Sequence, residues 1–263
     1  MSGFAFADLD AQRVVAENYP ENPHPMVCSK NWALPAFGNA ITLMTTCLNL
    51  KPRCFGQSPA MIGALERITT MSFITNLQMM FSLLTKPPQQ VTLPQLPPGR
   101  VLDIGGGGEG VIAQVGGSQV VAVDKLLSEI GEARDKALSA HWLAADATQL
   151  PCPDGSFTLA TAFFSCMYMS SEVKAAVFKE TYRVLQPGGE LWIWDVLMSA
   201  RTNGVFALRL QATLPNQKTV TTGYGVRAKD QSAASLSSLL QQAGFKTEMS
   251  AQHKHWFLLK GTR

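Results

Sequence analysis

The chain changes rhythm near residue 100. Between Pro59 and Lys86, apolar residues recur at steps of three and four: Ile62, Leu65, Ile68 and Met71, then Phe73, Leu77, Met80, Phe81 and Leu84. That spacing puts them on one face of a helix. A shorter polar helix is predicted over Asp8–Asn18. From Arg100 onward, short apolar runs alternate with amphipathic stretches. Arg100–Ile104, Gln119–Val123, His141–Ala145, Phe157–Phe164 and Glu190–Val196 read as strands. Ser128–Leu138 and Ser171–Leu185 read as helices between them. The second carries Val173, Val177, Thr181, Val184 and Leu185 on one side and is stopped by Gly188 and Gly189. A strand hairpin is predicted over residues 205–222, followed by a helix over Ser232–Gln242 with Gly244 as its stop. Phe245–Ser250 and His255–Lys260 form a closing strand pair. This alternation predicts an α/β fold with a doubly wound parallel sheet.

Three parts follow from the pattern. Residues 1–86, rich in Met and Phe, form an N-terminal, mainly helical cap. Residues 87–99 are a linker, because KPPQQVTLPQLPPG (86–99) holds five prolines and little periodicity. Residues 100–263 are the core domain.

Composition narrows the function classes. Hydrophobic residues make up 46% and charged residues 16%, enough for a core without disulfides or metals. The net charge of +3 comes from scattered Lys and Arg, with no basic stripe for nucleic acid. The five cysteines form no CxxC pair, which argues against a disulfide framework and a zinc site. Cys28, Cys47 and Cys54 match no common metal spacing, so no metal is expected. Reduced cysteines and an N-terminus without the bases of a secretory signal predict a cytoplasmic protein. Trp32–Leu50 is too polar and too broken to span a membrane. The oligomeric state is not legible.

The densest chemical signal is the loop Gly105-Gly106-Gly107-Gly108-Glu109-Gly110. It fits GxGxxG and lies between a predicted strand and a short helix, the context of a nucleotide-type cofactor site. Glycine permits positive φ and close approach of a ligand to the backbone. Asp103 stands two residues before the loop and Glu109 lies inside it. Two carboxylates repel a pyrophosphate but suit a sulfonium and an ammonium. Asp124 ends the second strand, where an acid can accept ribose hydroxyls. Asp146, after the third, is either an adenine-amino acceptor or a turn cap.

VLDIGGGGEG, VVAVD, AADATQLPCPDGSFTLA and LQPGGELWIWD occur in this order and spacing. Together they resemble the core of class I S-adenosylmethionine (SAM)-dependent methyltransferases, most similar to the type-11 group of ubiquinone and menaquinone C-methyltransferases. The resemblance covers residues 98–197 strongly and 232–260 weakly. It implies a Rossmann-like sheet of seven strands with the last antiparallel, SAM as cofactor and S-adenosylhomocysteine as product. By motif position, Asp103, Gly105, Gly106 and Gly107 would border the methionine part of SAM. Asp124 would hold the ribose, flanked by Lys125. Asp146 and the Ala147 backbone would bind adenine. Phe164 and Ser165 would lie beside the methionine and the incoming acceptor. The loop-to-strand interval departs from the pattern: the first helix has room for only about two turns.

Methyl transfer from a sulfonium needs alignment and exclusion of water more than a base. Residues 163–169, FFSCMYM, should face the methyl group, and Ser165, Cys166 and Tyr168 are candidate catalysts or wall residues. Tyr224, in TTGYGVR after the hairpin, is a candidate that reaches over the site, or a turn residue. His141 is expected to pack in the sheet, with His253 and His255 near the final turn and His24 in an N-terminal loop. The expected activity is methyl transfer to a small, hydrophobic acceptor, with a Met-rich N-terminal wall. Two alternatives remain: a nicotinamide-dependent oxidoreductase and a non-catalytic scaffold built on the same fold.

Overall fold

A computed structural model describes residues 87–199 and 204–263. The N-terminal helices expected from the sequence, with His24, Cys28, Cys47 and Cys54, lie outside the described residues.

The elements run in this order: β1 (Gln89–Thr92), β2 (Val101–Ile104), α1 (Val111–Gly116), β3 (Val120–Asp124), α2 (Leu127–Arg134), β4 (His141–Ala144), β5 (Phe157–Phe163), α3 (Ser171–Val184) and β6 (Leu185–Val196). There follow β7 (Val205–Thr213), β8 (Thr219–Arg227), α4 (Ala233–Gln242), β9 (Lys246–Gln252) and β10 (Trp256–Thr262). Seven strands form one sheet in the order β4-β3-β2-β5-β6-β10-β9. Strands β4, β3, β2, β5 and β6 run parallel, while β10 is antiparallel to both β6 and β9. This is the expected α/β sheet with an antiparallel last strand.

Alternation along the strands explains the two buried layers. On β6, Leu191 and Ile193 face the layer that holds Val177 and Phe178 of α3 and Leu236 and Leu240 of α4. Trp192, Trp194 and Val196 face the opposite layer, with Ile112 of α1 and Leu208 and Leu210 of β7. Strand β2 is buried along its whole length, as a central parallel strand must be. Ser170 caps α3 by accepting from the Val173 N–H at 3.3 Å, and Ser232 with Ser235 makes a capping box on α4.

Three local expectations are corrected. The linker contains β1, which pairs parallel with β7 from Gln89↔Leu210 to Thr92↔Thr213 and buries Val91 and Leu93. Proline confines such a strand to a sheet edge, and β1 is one. The hairpin is longer than expected, and its second strand runs to Arg227, so Tyr224 lies in β8 and not in a turn. His141 is exposed at the start of edge strand β4 rather than packed in the sheet. Among the described residues, no helix is long and apolar enough to cross a membrane.

Candidate active site

The glycine loop leaves β2 and folds back over the carboxyl ends of its neighbours. The Gly105 and Gly106 N–H groups donate to the Val123 carbonyl at 2.8 and 3.2 Å, and Gly108 donates to the Glu129 carbonyl at 2.9 Å. Gly105 and Gly108 have φ of +69° and +70°. No side chain fits along this path. A Cβ on Gly105 would stand 2.6 Å from Ser165 Cβ. On Gly106 it would stand 2.5 Å from Asp103 Oδ2, and on Gly107 2.8 Å from Asp124 Oδ2. The bare backbone is thus pressed directly against two acids and a serine.

Asp103 is buried beneath this loop, its Oδ1 accepting from Thr161 Oγ1 at 2.7 Å. Burial pushes its carboxyl up to about 7; the Thr161 hydrogen bond opposes this and Asp124 adds to it. Asp124, at the end of β3, accepts from the Gly107 N–H (3.3 Å) and the Leu126 N–H (3.0 Å). Each carboxylate oxygen keeps a further lone pair for a hydroxyl. The Ala145 N–H donates to the Asp124 carbonyl, which brings Asp146 beside Asp124 at the sheet edge. Asp146 Oδ1 accepts from the N–H and the hydroxyl of Thr148, at 2.9 and 2.8 Å. These bonds hold its carboxyl below the usual range, with Lys125 assisting. Asp146 is therefore a turn cap through one oxygen and leaves the other for a ligand. Ala147 packs beside it against the helix-side core.

Glu109 behaves differently from the expectation. It pairs with Lys136 at 3.0 Å, and the same ammonium donates to the Gly108 carbonyl. Its charge is answered within the chain, so the preference for a cationic ligand rests on Asp124 and Asp146, joined by Asp103 only as pH rises through about 7. Sequence reasoning passed over Glu129. A Cβ on Gly107 would meet Glu129 Cβ at 2.5 Å, and one on Gly108 would meet its Oε2 at 3.2 Å. Partial burial, then Glu132 and Asp124, raise the Glu129 carboxyl. Its sequence signal is an acid in the first turn of the helix after Asp124.

Beyond β5, Ser165 donates to the Ile104 carbonyl at 2.7 Å, and Phe164 takes φ of +54° while its N–H donates to the Trp194 carbonyl. Phe164 stacks on Tyr224 with centroids 5.3 Å apart and planes 15° apart. The ring that stacks on Phe164 is thus supplied by β8. Tyr168 is half exposed, and burial of its hydroxyl end pushes it up to about 12. Burial likewise drives the Tyr224 hydroxyl upward. Cys166 is buried among Val177 and Phe178 on the helix side, and burial, then Asp195, hold its thiol protonated. A thiolate base at Cys166 does not fit that setting.

A polar cluster not singled out in the sequence lies under the end of β6. Lys174 Nζ donates to Gln231 Oε1 at 2.5 Å, and Gln231 Nε2 donates to Asp195 Oδ1 at 2.7 Å. All three residues are buried. The only visible signal was the acid closing WIWD at a strand's carboxyl end.

Five parallel strands, with the glycine loop after the first of them in the chain, and an antiparallel pair at the far edge make up the sheet that carries the site. Residues 101–189 match the family model described as "Methyltransferase domain". The chain is 34% identical over 84 residues to a demethylmenaquinone methyltransferase of Chlamydia trachomatis, covering 32% of this chain and 35% of the relative. It is 38% identical over 107 residues to a demethylmenaquinone methyltransferase of Thermus thermophilus, covering 37% and 47%. A 27-O-demethylrifamycin SV methyltransferase of Amycolatopsis mediterranei is 34% identical over 117 residues, covering 41% and 42%. The chain thus spans less than half the length of these relatives.

Proposed function

We propose that the chain is a SAM-dependent methyltransferase acting on a small, apolar acceptor. One observation carries this reading: Asp103 and Asp124 press against a loop whose backbone admits no side chain from Gly105 to Gly107, and Asp146 follows the next strand, β4. That surround suits a ligand with hydroxyls, an amino group and positive charge, and disfavours a pyrophosphate. It also argues against the nicotinamide alternative. The methyltransferase-domain match over residues 101–189 supports the same reading.

The cofactor would supply a methyl group on a sulfonium, a carbon already activated for displacement. Asp124 would hold the ribose hydroxyls, with Lys125 flanking. Asp146 and the Ala147 backbone would hold adenine. Asp103, Gly105, Gly106 and Gly107 would border the methionine part. Phe164 and Tyr224 exclude water from the acceptor side, and Tyr168 lies at its exposed margin. No base need be built in when alignment and a dry site lower the barrier. The relatives named for demethylmenaquinone and demethylrifamycin SV support a small organic acceptor. The free thiols of Cys152 and Cys166 fit a reducing cytoplasm.

Calorimetric titration with S-adenosylhomocysteine tests the proposal. Saturable binding that is lost in Asp124→Ala is expected. A folded protein with no affinity for SAM or its product overturns it.

A further inference from the structure

Glu129 lies in the first turn of α2, shortly after Asp124 closes β3. Both its backbone and its side chain rest on the glycine loop. The Gly108 N–H donates to its carbonyl at 2.9 Å. A Cβ on Gly107 would fall 2.8 Å from Asp124 Oδ2 and 2.5 Å from Glu129 Cβ, so the two acids flank that glycine. Glu129 Oε2 stands 3.2 Å from where a Cβ on Gly108 would be. The charge of Glu129 is also within electrostatic reach of the Tyr168 hydroxyl, on the turn after β5. Strands β3 and β5 lie on either side of β2. A carboxylate that follows β3 and is felt after β5 stands over the carboxyl end of β2, where the glycine loop begins. The chain itself does little to answer this charge. Among the described residues, the Glu129 carboxylate takes no hydrogen bond and no ion pair. Partial burial, Glu132 and Asp124 disfavour its ionised form, and Lys136 favours it. Lys136 is already engaged by Glu109 and by the Gly108 carbonyl. An acid in the first turn suits the helix dipole. That role would be served equally from the outer face of the turn and does not call for contact with the loop.

Resting on the methyltransferase reading, we propose that Glu129 makes the cofactor cleft select by charge, favouring the cationic methyl donor over the neutral product. The donor carries a positive sulfonium and the product a neutral thioether. The two share the ribose, adenine and amino-acid groups, so contacts to those parts hold both equally. A carboxylate placed over the cleft strengthens the donor alone. The product then leaves more readily than the donor does.

Calorimetric titration of the full chain with two stable ligands tests this: S-adenosylhomocysteine, and sinefungin, which carries an ammonium beside the position of the sulfur. Wild type binds sinefungin at least about fivefold tighter than S-adenosylhomocysteine, the discrimination expected of one charge pair in a partly screened site. Glu129→Gln keeps the shape of the side chain and removes its charge. It brings the two ligands within about twofold by weakening sinefungin, while S-adenosylhomocysteine changes by less than about twofold. Glu132→Gln, at an exposed position of the same helix, leaves the preference intact. A wild type without preference, a preference that survives Glu129→Gln, or one lost equally in Glu132→Gln overturns the proposal. A Glu129→Gln chain that is less stable to urea yet keeps the preference assigns Glu129 to the helix dipole and overturns it as well. A wild-type protein that binds neither ligand overturns the methyltransferase reading instead.

Discussion

Ser165 Oγ donates to the Ile104 carbonyl at 2.7 Å and so ties the carboxyl end of β5 to that of β2, directly beneath Gly105. The bond joins the two strands that would carry the methyl donor on one side and the acceptor on the other. Gly105→Ala forces a methyl group to within 2.6 Å of Ser165 Cβ at φ of +69°. It should destabilise the protein by about 2–3 kcal/mol in urea unfolding, from overpacking and a strained backbone together. Ser165→Gly in the same chain removes the clashing carbon. The double variant should then lose less than the two single losses added, and strict additivity would mean that the contact does not matter.

Asp103 predicts a pH dependence of stability. Its carboxyl stands at about 7 in the folded chain against 3.8 as the ordinary value, so the folded state holds a proton that the unfolded chain has released. Its contribution is complete below the ordinary value and is lost as pH rises to about 7. The slope is at most about 1.4 kcal/mol per pH unit. Asp195, raised to about 6 by burial, adds a loss of the same sign over a narrower window. Asp103→Asn retains an oxygen to accept from Thr161 and cannot ionise. Denaturant unfolding from pH 4 to 8 should show a flatter profile for Asp103→Asn than for wild type. Parallel profiles would mean that Asp103 is ionised throughout.

The order of strands, the glycine loop and the acids at strand ends were legible because each is a local pattern. What was missed depends on partners far along the chain. Val91 and Leu93 alternate, but β7, which makes them a strand, lies 121 residues on by the Gln90–Gln211 side-chain bond. Gly223 and Gly225 read as a turn around Tyr224, whereas nine pairs with β7 hold them extended. The charge on Glu109 seemed to face the ligand until Lys136 was placed beside it. Asp195 looked like one more strand-end acid, and only Gln231 and Lys174 give it a role.

Arg183 ties the segment after β4 to α3. It bonds Glu180 at 2.6 Å, Asp154 at 2.5 Å, and the carbonyls of Leu150 and Cys152 at 3.1 and 2.9 Å. The Leu150 N–H donates in turn to Glu180. Lysine keeps the charge but cannot reach four acceptors with a planar fork. Because the side chain is a third exposed, part of the ion-pair energy is screened. Arg183→Lys should cost about 1–2 kcal/mol by thermal unfolding, little reduced by salt, because the carbonyl bonds dominate. A loss that vanishes in high salt would assign the effect to the ion pairs instead.

Asp124 and Tyr224 separate cofactor binding from acceptor binding. Asp124 organises the loop through the Gly107 and Leu126 N–H groups and, in the proposed function, accepts ribose hydroxyls. Asp124→Ala removes both roles and should weaken S-adenosylhomocysteine by well over tenfold, as expected for charge-assisted hydrogen bonds lost in a partly buried site. Tyr224 contributes a ring face to Phe164, and Tyr224→Phe keeps that face. It should change cofactor affinity by less than about twofold and act, if at all, on the acceptor. Calorimetry on both variants decides the matter: if Tyr224→Phe weakens the cofactor more than Asp124→Ala does, the cofactor lies on the hairpin and not on the glycine loop.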